Sequence, residues 1–195
     1  MARESSIPSA KGDRTRFRMA KPGRFAPRAL RISVPVLDIT PEEVSICALS
    51  RAASLLATIR HNRMIDLFLS ISTRTTRRAG VTDDERERNH DMPDEVYVGM
   101  NSVGRGFVVP VVLQELKDRR NGVRMRLSVA WCAGKFPNLT CRPVSAQFMG
   151  NGVIAMFELA LVDGELGILE ERHYKLIPAD QIGVEDLKRY AAPQR

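Results

Sequence analysis

The residues of this 195-residue chain that could do chemistry are few and scattered. The three histidines, His61, His90 and His173, fall on a predicted helix end, a charged loop and a predicted strand, and no two of them stand at the spacing of metal ligands. Glu170 and Glu171 are adjacent on a predicted strand, so they point to opposite faces and cannot share acid-base work. No serine is flanked as in a nucleophile elbow. We therefore expect a protein that is not an enzyme and has no metal site and no cofactor.

Three glycine-containing segments come nearest to a phosphate-binding motif. Segments 101–106 and 149–152 lack the lysine and the hydroxyl residue of a P-loop. Segment 133–136 has Phe136 where that motif needs Ser or Thr. Because all three fall between predicted strands, turns explain them better than nucleotide binding does.

Two arginines suggest one small-ligand alternative. Arg74 and Arg78 have the spacing of the first half of the cyclic-di-GMP signature, and in this they resemble PilZ domains. The second half of that signature needs Asp or Asn two residues before a serine, whereas Met100 precedes Ser102 by two. A small ligand-binding β module of PilZ type is therefore kept as an alternative.

Positive charge is concentrated at the start of the chain. Residues 1–31 contain nine basic and two acidic residues, whereas residues 32–195 contain 21 of each sign, so the formal charge of +7 resides in the first segment. With its prolines and glycines and few large apolar residues, segment 1–30 cannot build a core, and we predict a flexible basic arm. Anionic lipid headgroups and phosphate backbones would both attract it.

A second basic group flanks the Asn121-Gly122 dipeptide, which favours a tight hairpin turn. Alternation over a predicted strand at 123–131 would put Arg124 and Arg126 on one face, although an ordinary solvated face balanced by acidic neighbours is an equal alternative. The candidate anionic-surface residues, for lipid or RNA, are Lys11, Arg14, Arg16, Arg18, Lys21, Arg24, Arg28, Arg31, Arg119, Arg120, Arg124 and Arg126.

Hydropathy and cysteine usage indicate how the protein could contact a membrane and in which kind of compartment it resides. No run approaches the roughly 20 apolar residues of a spanning helix, and no apolar segment follows the early charges as in a signal peptide, so membrane contact would be peripheral. Cys47, Cys132 and Cys141 are odd in number and form no Cys-x-x-Cys pair, which favours a reducing compartment.

The first element that would position these residues is a strand over about 30–38. We predict that it lies at an edge of the sheet, because Pro35 cannot donate a hydrogen bond to a ladder. A helix over 41–60 follows, with Thr40 as N-cap. The apolar run 62–72 is ambiguous between helix and strand. The charged segment 74–94 predicts an exposed, mobile loop.

The second half of the chain predicts strands joined by turns. We expect them over 95–100, 107–116, 123–131, 144–149, 153–162 and 165–176, followed by a helical turn over 184–190. The fold class is therefore α+β, a single domain over 31–195 in which one antiparallel sheet, a meander, is packed by the N-terminal helix.

The least charged run, 141–169, contains a strand with two apolar faces. A sheet covered on one side by a helix needs only one apolar face, so the second face needs a cover, either segment 62–72 or a neighbouring subunit. We therefore predict assembly contacts at Ile154, Met156, Phe157 and Leu159.

With these elements in order, the sequence resembles the matrix proteins of rhabdoviruses. The resemblance covers about half the chain and lies in the basic arm, the first strand and helix, "VYVGMNSVGRGFVVPVVLQEL", and "GKFPNLTCRPVSAQFMGNGVIAMFELALVDGE". It implies a viral structural protein that polymerises and links a ribonucleoprotein to the inner face of a membrane, in the virion and the host cytoplasm. The arm lacks the Pro-Pro-x-Tyr budding motif. An RNA-binding capsid or nucleoprotein subunit that uses the same arm is the alternative.

Overall fold

The structure, a computed structural model, describes residues 18–19, 33–43, 51–76, 94–101, 106–114, 126, 130–132, 134–149, 151–162 and 165–191. The strands are β1 (Arg18–Met19), β2 (Val34–Leu37), β3 (Ile71–Thr76), β4 (Glu95–Asn101), β5 (Phe107–Gln114), β6 (Thr140–Phe148), β7 (Val153–Val162) and β8 (Glu165–Ile177). The helices are α1 (Arg51–His61), α2 (Met64–Leu69) and α3 (Val184–Ala191), with a 3-10 turn over Ala179–Gln181.

All eight strands form one mixed sheet. The order is β1-β8-β7-β6-β5-β4-β3, and β2 pairs with β8 beyond this path. The α+β class is confirmed, but the purely antiparallel meander is wrong, because β5 pairs with β6 and β2 pairs with β8 in parallel. A parallel neighbour requires a crossover connection of a dozen or more residues, and segment 115–139 supplies it between β5 and β6.

This crossover also corrects the predicted strand over 123–131. The described positions 126, 130–132 and 134–135 are helical. At these positions the predicted strand is wrong, and the other residues of 123–131, like the Asn121-Gly122 dipeptide, lie outside the described residues.

The predicted helix over 41–60 is confirmed where the structure describes it, at 42–43 and in α1. The ambiguous run 62–72 contains both alternatives in succession, α2 and then the start of β3. Arg63 and Ser70, with φ of 50° and 52°, flank α2 in the left-handed region. Asp66 stabilises the second junction, because its Oδ1 accepts hydrogen bonds from the Thr73 amide at 3.0 Å and hydroxyl at 2.5 Å.

The main core lies between the sheet and helices α1 and α2; we call this side of the sheet the helix face. Ile59 and Phe68 from the helices pack there with Val144, Ile154 and Met156 from β6 and β7. The other side is the crossover face. Of the loop predicted over 74–94, residues 74–76 extend β3, Asp94 precedes β4, and 77–93 lie outside the described residues.

The three-strand meander at the end of the domain is confirmed. β6, β7 and β8 pair antiparallel in sequence order, with an irregularity in register between Glu158 and Leu159. Asn151 and Gly152, with φ of 56° and 70°, make the first turn of the meander. The left-handed backbone at Gly152 is the conformation for which glycine is best suited. The predicted final helical turn is present as α3.

Candidate anionic-surface site and buried polar clusters

Two of the twelve candidate anionic-surface residues lie among the described residues. Arg18 is in β1, where it is the register partner of Ile168 in β8. Arg126 is exposed at a helical position of the crossover. The other ten lie outside the described residues, namely Lys11, Arg14, Arg16, Lys21, Arg24, Arg28, Arg31, Arg119, Arg120 and Arg124. The structure therefore shows one attachment of the basic arm to the sheet, at Arg18. Among the described residues it does not bring the candidate residues together into one site.

The arm is attached to the sheet at one edge of β8. β1 pairs antiparallel with β8 at Gly167 and Ile168, and β2 pairs parallel with the same strand from Tyr174 to Ile177. The chain thus contacts β8 before and after segment 20–32. Because β2 is the segment in which the sequence predicted an edge strand, and it pairs with β8 beyond the main strand path, this prediction is confirmed.

The residues predicted to make assembly contacts are enclosed within the protomer. Ile154 and Met156 are 0% exposed and Phe157 and Leu159 are 1% exposed. Ile154 and Met156 belong to the core of the helix face, whereas Phe157 alternates with them and points to the crossover face. Both faces of β7 are therefore covered by this chain, and any assembly surface has to be sought on other residues.

The first buried polar cluster joins two strands and a helix at the helix face. Arg142 donates to both carboxylate oxygens of Glu158, from Nε at 2.7 Å and from Nη2 at 2.8 Å. Its Nη1 donates to the carbonyl of Leu69 at the end of α2 at 3.0 Å. Three donors of one guanidinium thus tie β6 to β7 and to α2, an arrangement that holds elements in position.

The second cluster joins Arg60 near the end of α1 to β4. The buried carboxylate of Glu95 accepts hydrogen bonds from the guanidinium of Arg60 and from the phenol of Tyr97. Burial, the Glu95 charge and its hydrogen bond raise the pKa of Tyr97 above the ordinary value of a phenol, while Arg60 opposes the shift. Because each side chain has its partners within the cluster, we interpret it as a tie between helix and sheet rather than as a catalytic site.

A third cluster attaches the segment after β2 to the end of α1. The side-chain oxygen of buried Asn62 accepts a hydrogen bond from the Ile39 amide at 2.8 Å. Its side-chain nitrogen lies 2.8 Å from the Thr40 hydroxyl and 3.0 Å from the Thr58 carbonyl. Thr40, which the sequence predicts as the N-cap of the first helix, therefore contacts Asn62 just after the end of α1.

The histidines remain separate in the described structure. His61 is half-buried at the end of α1, and His173 is buried in β8 with its Nε2 3.1 Å from Glu171 Oε1. His90 lies outside the described residues. Within the described ranges, no group of three or more His, Cys, Asp or Glu side chains could hold a metal ion.

Two thiols lie close together that no pattern in the sequence predicted as a pair. Cys132, in the crossover, and Cys141, at the start of β6, share a small cluster with Val96 on the crossover face. The Cys141 thiol donates a hydrogen bond to the Cys132 sulfur; this lowers the pKa of Cys132 and, together with burial, raises the pKa of Cys141. No short-range motif could have revealed the pair, because the contact depends on the crossover.

None of the helices in the described part of the chain is long and apolar enough to cross a membrane. Comparison of the chain with protein-family models, with curated proteins and with solved structures gives no match.

Proposed function

We propose that this chain is a non-enzymatic, matrix-like structural protein that self-assembles and links a nucleocapsid to an anionic membrane surface. The observation that carries the proposal is the confinement of charge. Residues 1–31 supply the whole excess of +7, and residues 32–195 are neutral overall. Such a block of charge at one end of a chain is typical of an interaction arm.

The attachment of the arm to the sheet supports this role. Arg18 and Met19 pair with β8, and Arg16 and Lys21 stand two positions outside this pair in the sequence. Basic residues are therefore tethered within a few residues of a fixed sheet edge. A membrane that binds the arm would hold the domain close to its surface.

Lipid is favoured over single-stranded nucleic acid as the partner because stacking residues are scarce. Aromatic residues make up 6% of the chain; residues 1–31 hold two, Phe17 and Phe25, and none lies between Arg119 and Arg126. Proteins that bind single strands without sequence preference combine a basic groove with aromatic side chains on which the bases stack.

Flotation with vesicles tests the lipid contact. We expect the full chain to float with vesicles containing phosphatidylserine, to stay behind with neutral vesicles, and to lose binding as salt rises. At about 1 kcal/mol per basic residue, the double variant Arg14→Gln, Arg16→Gln should bind roughly 30-fold more weakly.

The matched control removes the same charge from the domain, with Lys135→Gln and Lys175→Gln, both of which are exposed. Equal losses for the two double variants would show that net charge, and not the arm, determines binding. Nuclease-sensitive RNA that co-purifies with the protein, together with no flotation, would favour the capsid alternative. Sedimentation at physiological salt tests assembly, and a monomer at every concentration would contradict that part of the proposal.

A further inference from the structure

The two thiols on the crossover face differ from each other in access to solvent. Cys132 is 1% exposed, whereas Cys141 is only half-buried. Neither forms a disulfide in the structure, and Cys141 packs against the small cluster that contains Cys132, within hydrogen-bonding reach of its thiol. Cys141 is thus the more exposed residue of the pair.

The surroundings keep the pair together. Trp131 and Phe136 pack edge to face with ring centroids 6.3 Å apart, and both pack against the cluster that contains Cys132. The Phe136 amide donates to the Cys132 carbonyl at 2.8 Å, and the Leu139 amide donates to the Phe136 carbonyl at 3.0 Å. These backbone hydrogen bonds shape the turn that leads from Cys132 to Leu139, just before Cys141 in β6.

We propose that Cys132 and Cys141 form a reversible disulfide that fastens the crossover connection to the start of β6, as a redox-sensitive device. This inference does not depend on the proposed membrane role. The thiols persist in a reducing compartment, and the bond forms when the protein meets a low-molecular-weight disulfide in an oxidising one.

The reaction is two thiol–disulfide exchanges. The Cys141 thiolate attacks one sulfur of the small disulfide, whose S–S bond breaks and releases one small thiolate. The Cys132 thiolate then attacks Cys141 Sγ in this mixed disulfide and displaces the second small thiolate. Two protein thiols are oxidised, one small disulfide is reduced to two thiols, and the two protein protons go to the released thiolates. Cys141 attacks first because it is the more exposed of the two, and its raised pKa slows this step at neutral pH, so oxidation should accelerate as the pH rises.

Oxidised glutathione is the probe for the test on the full-length protein. Peptide mapping by mass spectrometry should find a single cross-link, between Cys132 and Cys141, which dithiothreitol reverses. Closing a loop of about ten residues should raise Tm by roughly 5–10 °C. A cross-link that involves Cys47, or no cross-link at all, would overturn the proposal.

The order of attack is tested by trapping the intermediate. Cys132→Ser should accumulate a mixed disulfide on Cys141, whereas Cys141→Ser should leave Cys132 unmodified because it is buried. The control Cys47→Ser should oxidise like the unmodified chain. Modification of Cys132 in the Cys141→Ser protein, at a rate equal to that of Cys141 in the Cys132→Ser protein, would refute the assigned roles. If a serine variant fails to fold, mapping of the natural protein still decides whether the bond forms.

Discussion

Strand β7 and helix α3 both carry apolar residues, but in opposite settings. In β7, Ile154, Met156 and Phe157 are at most 1% exposed. In α3, Val184 is 68% exposed and Leu187 is 55% exposed. β7 lies inside the sheet with a strand on each side, whereas α3 follows the last strand of the domain.

The position of an element in the fold, more than its apolarity, therefore decides whether its side chains reach a neighbouring molecule. A strand with β6 and β8 on its two sides has both faces available for cover by the same chain. Exposed apolar side chains such as those of α3 are common on soluble proteins and do not by themselves mark an interface. The predicted assembly contacts in β7 followed hydropathy alone, and their burial moves the question of assembly to other surfaces.

The largest expected effect comes from truncating the core of β7. Phe157→Ala removes a fully buried ring and should lower the free energy of unfolding by about 3–5 kcal/mol. The matched truncation Leu187→Ala in α3 should change it by less than about 0.5 kcal/mol, since Leu187 is mostly exposed. Urea unfolding followed by circular dichroism measures both. Equal effects would mean that α3 is packed as tightly as β7, contrary to the exposure of Leu187.

A second contrast uses two ion pairs of the same length. Arg142–Glu158 and Lys188–Glu185 both close at 2.7 Å, but the side-chain exposures are 25% and 10% in the first pair and 66% and 78% in the second. Glu158→Gln should cost about 2–4 kcal/mol, because it leaves the Arg142 charge without its carboxylate at the helix face. Glu185→Gln should cost less than about 0.5 kcal/mol.

The double variant Arg142→Met, Glu158→Gln separates this charge effect from general damage. If the cost of Glu158→Gln comes from the uncompensated guanidinium, removing Arg142 as well should recover part of the lost stability. Strictly additive losses in urea unfolding would show instead that the two side chains stabilise the fold independently.

The local elements were predictable from the sequence because their signals are local. The meander was found from turn residues such as Gly152 and from runs of alternating or continuous apolar residues, and α1 from its apolar spacing and the Thr40 cap. The crossover was missed because residues 123–131 alternate like a strand. Neither the parallel pairing of β5 with β6 nor its connection leaves a local mark in the sequence.

The buried polar clusters could not be predicted from the sequence for the same reason. Arg142 and Glu158 lie in different strands, and Arg60 of α1 meets Glu95 of β4 only in the folded chain. In the sequence each of these looks like an ordinary surface charge, since charged residues are rarely buried without a partner. The anionic-surface prediction rests on composition alone and stays a prediction, because ten of its twelve residues lie outside the described ranges.

The smallest expected effect extends the contrast between buried and exposed groups to titration. The raised pKa of Tyr97 means that the folded chain keeps the phenol proton at a pH where the unfolded chain, with a tyrosine pKa of about 10, has lost it. The unfolded state then binds fewer protons, so stability is fully present below pH 10 and falls as the pH rises above it, by up to about 1.4 kcal/mol per pH unit. Tyr97→Phe should cost about 1 kcal/mol at pH 8, through the lost hydrogen bond to Glu95.

The difference between the two proteins should therefore shrink between pH 10 and pH 11 in urea unfolding. The Tyr97→Phe substitution should not abolish the whole loss of stability at alkaline pH, because burial also raises the pKa of Tyr174 in β8. A constant difference across this range would mean that the Tyr97 phenol ionises as readily in the folded chain as in the unfolded one. The contact of Tyr97 with Glu95 would then not persist in solution, and Arg60 of α1 would be left as the partner of the buried carboxylate.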